Sequence, residues 1–149
     1  MFKTIFISFF ISVLVMMSGC NSTSDNVEKS RICPQCHMEL PKSNINTSFV
    51  IKDNKTTYFD DMGCMVLWAK ENNIDLKTVT AKAFTTDTKK YMDVFKLHYS
   101  IDEKTPMHYG FGAYEKNIKK SIGFDEVILR MLRGENMANP KIRKQILGY

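Results

Sequence analysis

Four side chains that can bind a metal ion fall within six residues of the chain. They are Cys33, Cys36, His37 and Met38, in the segment Cys-Pro-Gln-Cys-His-Met. Thiolate and thioether sulfurs are polarisable donors that suit Cu(I), whereas a zinc site draws more often on cysteine and histidine alone. Because Met38 adds a thioether, the segment favours a Cu(I) site.

The same Cys-x-x-Cys spacing has other interpretations. In an oxidising compartment, Cys33 and Cys36 could form a structural disulfide or a thioredoxin-like redox pair. A redox pair usually lies at the N-terminus of a helix after a strand, where the helix dipole lowers one thiol pKa. Leu40, Pro41 and a polar loop follow here instead. That context argues against a thiol oxidoreductase and leaves the disulfide open.

Cys64 lies further along, on a predicted helix. It is either a third sulfur ligand or a small buried residue, and a helix that is apolar nearly all round favours the buried role. Together with Cys33, Cys36 and a histidine, it would also make a structural zinc site. Asp60 and Asp61 precede the helix, and capping explains them well because no partner for acid–base catalysis is evident.

A third segment, Pro106 to Tyr114, places a thioether beside an imidazole. Met107 is a plausible ligand at the start of a predicted strand, whereas His108 competes with the ordinary role of a solvent-facing strand residue. Because side chains alternate between the two faces of a strand, Met107 and His108 would point to opposite faces. Both could bind one ion only at a β-bulge. His98 lies within a predicted strand and is expected to be structural.

The N-terminus predicts export. Lys3 is followed by an apolar run to Met17, and Ser18 and Gly19 then precede Cys20. This pattern is typical of a secretory signal with a lipoprotein processing site. We therefore expect a lipid on Cys20 and a domain in the cell envelope that faces the periplasm, on either the inner or the outer membrane.

The chain divides into three parts on this basis. Residues 1–19 form the signal peptide, and residues 20–30 form the lipidated cysteine and a tether with too little apolar surface to order itself. Residues 31–149 have the size and apolar content of one metal-binding domain.

The elements expected in this domain suggest two similar units. The first contains a hairpin of Ser48–Lys52 and Thr56–Phe59, a helix through Met62–Glu71 and a strand near Val79–Thr86. The second contains a strand at Val94–Ser100, the aromatic segment Met107–Tyr114 and a helix near Glu115–Ile122. A further helix is indicated at Phe124–Leu132 with Gly134 as its stop. The expected fold is α+β, with two small β-β-α-β units.

Charge and motifs exclude several function classes. The net charge is +5, and clusters of Lys and Arg occur near Lys119 and in the basic, weakly helical tail to Tyr149. In an exported protein we interpret these as solvated helix faces, with anionic lipid head groups as the candidate partner and no nucleic acid. The sequence has no phosphate-binding glycine loop, nucleophile elbow or helical metalloprotease motif, so no enzymatic activity is expected.

Three segments in order, Cys33–Met38, Tyr58–Met65 and Pro106–Tyr114, together resemble the NosL family of nitrous-oxide-reductase accessory lipoproteins. The likeness covers about Arg31 to Ile122. It implies a monomeric Cu(I)-binding metallochaperone that serves assembly of the copper site of periplasmic nitrous oxide reductase through a membrane transporter complex. It also implies two β-β-α-β units and no catalytic role of its own.

The resemblance also ranks the metal ligands. Cys36 and Met38 match the Cys-Gly-Met segment of the family and are the leading ligands, Met107 comes next, and Cys33 and His108 follow. His37 stands where the family usually has glycine. A second departure lies near Ser121–Phe124, which leaves little room for a strand after the second helix.

Overall fold

A computed structural model describes residues 31–149 of the chain. The predicted signal peptide, the lipid on Cys20 and the tether lie outside these residues. None of the helices between residues 31 and 149 combines the length and the apolar character needed to cross a bilayer.

A four-stranded antiparallel sheet forms one layer of the domain. Its spatial order is β2-β1-β3-β4. The strands are β1 (Ser48–Lys52), β2 (Lys55–Phe59), β3 (Thr80–Phe84) and β4 (Tyr91–Asp93). β1 and β2 join through Asp53 and Asn54, which both have positive φ angles of 50° and 60°, as a tight two-residue hairpin requires.

The first helix, α1 (Met62–Glu71), packs against β1 and β2. Asp61 is its N-cap, because its side chain accepts from the Gly63 N–H, and Asn72 ends it. The apolar face of α1 and the buried side chains of β1 to β3 form the core, while the opposite face of the sheet carries Phe49 within 4.9 Å of Tyr91 between ring centroids.

The second half of the domain adds a smaller sheet and two helices. The elements are β5 (His98–Tyr99), β6 (Ala113–Tyr114), α2 (Phe124–Arg133) and α3 (Pro140–Leu147). α2 packs on α1 and on β5. Val127 and Met131 are buried on this side of the core, and Gly134 ends α2 with a positive φ of 69°, as predicted.

The α+β class is therefore confirmed, and so is the first β-β-α-β unit, formed by β1, β2, α1 and β3. The second unit consists of the short strands β5 and β6 followed by α2. Within residues 31–149 no strand follows α2, and residues 134–139 connect α2 to α3.

The helix predicted at Glu115–Ile122 was wrong. The segment runs as turns, and Ile122 instead pairs with Tyr99 through a single bridge. The Asp87 carboxylate accepts from the backbone N–H groups of Glu115 and Lys116 at 3.0 Å. This contact fixes the start of the segment in a loop, which sequence periodicity does not indicate.

The continuous strand predicted at Val94–Ser100 was also wrong. A 3₁₀ turn occupies Val94–Lys96, and of this segment only His98–Tyr99 forms a strand. The Asp93 side chain accepts from the Phe95 N–H at 2.9 Å, which caps this turn. A local side-chain bond of this kind competes with strand pairing.

Candidate metal centre

Three cysteines and one aspartate converge at one place in the domain. One ligand atom from each of Cys33, Cys36, Asp60 and Cys64 lies within 4.8 Å of each of the others. The first two come from a loop ahead of the sheet, Asp60 follows β2, and Cys64 is in the first turn of α1. Residues far apart in sequence therefore meet at the end of the hairpin and the start of the helix.

A tight loop orients the first two cysteines. Ile32 bridges Glu39, the Cys33 N–H donates to the Met38 carbonyl at 2.9 Å, and the His37 N–H donates to the Cys33 carbonyl at 2.9 Å. His37 has a φ of 61°, in the left-handed region that glycine adopts at least cost. A glycine would therefore adopt this backbone conformation at a lower cost than His37 does.

Asp60 contacts the cluster through one oxygen, and within residues 31–149 its other oxygen is unpartnered. The Cys36 thiol donates to Asp60 Oδ1 at 3.1 Å. Asp60 is buried, and its Oδ2 has no hydrogen-bond partner within the described residues. A buried carboxylate oxygen without a donor is costly unless a cation or a proton satisfies it. This oxygen is therefore a natural ligand atom for a metal ion.

The three thiols differ in acidity. The Cys64 thiol donates to Cys33, and this bond, helped by nearby backbone N–H groups, lowers the pKa of Cys33 to about 6 despite burial. Burial, together with the neighbouring Asp60, raises the pKa of Cys36 to about 12. The bond to Cys33 and burial raise the pKa of Cys64. At neutral pH the cluster thus holds one thiolate supported by two thiols.

Asp61 connects the cluster to the segment that carries Met107. Its Oδ1 accepts from the Gly63 N–H and its Oδ2 from the Met107 N–H, both at 3.0 Å. Asp61 is fully buried, and burial raises its pKa although Thr105 and these two N–H groups act in the opposite direction. One carboxylate therefore both caps α1 and holds the Met107 turn against the start of the helix.

Tyr109 covers the first turn of α1 beside the cysteines. A Cβ atom added to Gly63 would overlap the Tyr109 ring, so the close packing requires glycine. Burial and the nearby Cys64 and Asp61 raise the pKa of Tyr109 to about 12. The backbone of Tyr109 is held in turn by Met137, whose N–H donates to its carbonyl at 3.1 Å.

The predicted ligands lie at different places in the structure. Cys33 and Cys36 lie in the cluster. Met38 lies on the same loop with 45% of its surface exposed, and Met107 packs partly buried against the core next to Asp61. His108 is exposed and lines a separate cavity of about 140 Å³.

The predicted strand start at Met107 is wrong, since the residue lies in a turn and His108 has a φ of 58°.

Cys64 and Asp60 belong to the cluster although the sequence pattern indicates a buried residue and a helix cap for them. Cys64 is buried as expected, yet its sulfur is also within reach of the other thiols. A signal for Asp60 was present, because one aspartate suffices to cap a helix and Asp61 does so. The carboxylate of Asp60, four residues before Cys64, was therefore available for another role.

The chemistry of this set fits a soft or borderline metal ion. The three sulfur atoms suit both zinc and Cu(I), and the aspartate oxygen is a further donor that zinc accepts. The set is a poor match for calcium or magnesium, which prefer oxygen. The four side chains can hold a metal ion. Comparison of the chain with known protein families, curated proteins and solved structures found no match.

Proposed function

We propose that this chain is a membrane-anchored Cu(I)-binding metallochaperone. The observation that carries the proposal is the convergence of Cys33, Cys36 and Cys64 with the Asp60 carboxylate, all within 4.8 Å. Sulfur donors favour a monovalent, polarisable ion, and two or three of them are enough for Cu(I).

The graded exposure of the cluster suits transfer better than storage. Cys33 and Cys64 are 0% exposed, whereas Cys36 is partly exposed and Met38 lies at the surface on the same loop. A recipient protein can reach the outer sulfurs first, so ligands can be exchanged one at a time. A structural zinc site is normally a closed tetrahedron of four ligands.

The electrostatics of the cluster also favour a bound cation. Within residues 31–149, neither Asp60 nor Asp61 takes part in an ion pair. Full deprotonation of three thiols beside a carboxylate would leave several buried negative charges, which is costly without compensation. A metal ion supplies that compensation and displaces the protons from Cys36 and Cys64.

The resemblance to the NosL family supports a more specific role, in which copper reaches the copper site of nitrous oxide reductase through a membrane transporter complex. His37 replaces the glycine of the family's Cys-Gly-Met segment, and its φ of 61° lies in the region that glycine adopts at least cost, so the backbone here is compatible with that segment. Under this proposal the lipid on Cys20 keeps the carrier near its partners, and the tether raises its effective concentration at the docking site.

The test is an anaerobic titration of the reduced domain with Cu(I) against a competing chelator. We expect one tightly bound Cu(I), and weaker binding after Cys36→Ser or Met38→Leu with folding intact. Met92→Leu is the matched control, since Met92 lies in β4 and should leave affinity unchanged. Failure to bind Cu(I), or equal effects of both methionine variants, would refute the proposal.

Structural zinc is the second candidate, favoured by the three-sulfur, one-oxygen donor set itself. Under that alternative, chelators would unfold the protein and the Met38 variant would have no effect.

A thiol–disulfide activity fits less well. An attacking thiol must be both exposed and ionised, but the acidic Cys33 is buried and the more accessible Cys36 has a raised pKa.

A further inference from the structure

The C-terminal segment concentrates positive charge on a helix with few contacts to the rest of the domain. Residues 136–149 contain Lys141, Arg143 and Lys144 and no acidic residue. The Asn139 side chain caps α3, Gly148 ends it, and none of the α3 residues is buried. A helix that contributes nothing to the core is available for a partner.

Exposed apolar residues lie at the end of α3, close to its basic side chains. Leu147 is 43% and Tyr149 75% exposed at the end of α3, whereas Ile142 and Ile146, one turn apart, are half-buried. Tyrosine is favoured at membrane interfaces because its ring is apolar and its hydroxyl is polar. The helix thus presents basic side chains along its length and apolar groups at its end.

We infer that α3 is a docking surface for a bilayer rich in anionic phospholipid, with its basic side chains at the head groups and Leu147 and Tyr149 in the interface. Charge complementarity carries this choice of partner. Within the described residues, Lys141 and Lys144 form no ion pair with an acidic side chain. Basic amphipathic helices bind anionic membranes through the same combination of charge and apolar contact.

Docking of α3 would also set the orientation of the domain. Arg143 lines the cavity that contains His108 and Asp102, so α3 lies beside the turn that carries Met107. A helix held at the bilayer would bring that side of the domain close to the membrane surface. This inference does not depend on the metal bound at the thiol cluster.

The test uses residues 21–149, which include the whole described fold and its core, in sedimentation with phospholipid vesicles. We expect binding to vesicles of phosphatidylglycerol and phosphatidylcholine, and none to phosphatidylcholine alone. Each basic residue near such a surface changes affinity about fivefold. The double variant K141Q/K144Q should therefore bind about 25-fold more weakly.

The matched control is K52Q/K55Q, which removes the same charge from exposed positions at the β1–β2 hairpin. The control should bind as the wild type does, and Tyr149→Ser should weaken binding without a change in charge. Equal loss in both double variants would mean that net charge alone drives adsorption and would overturn the inference. Absence of binding to anionic vesicles would overturn it as well and would leave α3 to a protein partner.

Discussion

Two substitutions at Cys64 separate its two roles in the cluster. The Cys64 thiol is the largest influence that lowers the pKa of Cys33, from an ordinary 9.0 to about 6. Cys64→Ala removes the hydrogen-bond donor and the sulfur together. Cys64→Ser keeps an O–H donor but replaces a soft ligand with a hard one.

The size of the effect follows from the two pKa values. With a pKa of about 6, Cys33 is roughly 90% thiolate at pH 7, and with a pKa of 9.0 it would be roughly 1%. If Cys64→Ala returned the pKa to its ordinary value, the thiolate population at Cys33 would fall about 90-fold. This loss would weaken metal binding even before the missing ligand is counted.

The assay is a pH titration of thiolate absorbance in the reduced, metal-free protein, followed by Cu(I) competition. We expect a midpoint near 6 in the wild type and in Cys64→Ser, and a midpoint shifted toward 9.0 in Cys64→Ala. Both variants should bind Cu(I) more weakly. If Cys64→Ala titrates as the wild type does, Cys64 does not contact Cys33 and the reasoning about the cluster fails.

The same shift makes folding stability depend on pH. Because the folded pKa of Cys33 lies below the unfolded value, the native state holds fewer protons than the unfolded chain between about pH 6 and 9. The contribution of Cys33 to the free energy of unfolding therefore increases as pH rises through this window. That contribution is lost as pH falls through about 6. Urea unfolding of reduced protein should show this dependence, and Cys64→Ala should flatten it.

Three other substitutions test a close packing contact near the cluster and two carboxylates that bind backbone N–H groups. Gly63→Ala should lower the free energy of unfolding by about 1–3 kcal/mol in urea, because its Cβ overlaps the Tyr109 ring; an unchanged midpoint would contradict this packing. Asp61→Asn keeps a helix cap but turns an N–H toward the Met107 N–H, so we expect a loss of about 1–3 kcal/mol, and a thermal melt that matches the wild type would argue against the bond. Slight burial raises the pKa of Asp87, but hydrogen bonds from backbone N–H groups, led by those of Glu115 and Lys116, lower it overall. The stability that this carboxylate provides is present above its ordinary pKa and is lost as pH falls through the folded value. Asp87→Asn should therefore destabilise the protein at neutral pH and match the wild type in strong acid.

Local signals predicted the hairpin and α1 because the causes are local. A polar turn between β-branched runs, and an aspartate before an apolar helix, determine their structures within a few residues. The helix predicted at Glu115–Ile122 failed because its start is bound by Asp87, which lies 28 residues away from Glu115.

The site was predictable only in part. Cys33 and Cys36 are recognisable from their spacing in the sequence. For Cys64 the sequence left a ligand role and a buried role open, since a helix that is apolar nearly all round gives no indication of which side chain faces a loop from another part of the chain. Which aspartate caps α1, and which is left for the thiols, depends on backbone angles that a pair of identical letters does not reveal.

The backbone hydrogen bond between Met137 and Tyr109 links the C-terminal part of the chain to the metal centre. Met137 lies beyond α2, yet its N–H supports the residue that covers Gly63, next to the thiols. A protein truncated after Arg133 would retain every cysteine and aspartate of the metal centre. It would lose the hydrogen bond that holds the backbone of Tyr109. Residues well past the last cysteine of the cluster therefore support the side chain that packs over it.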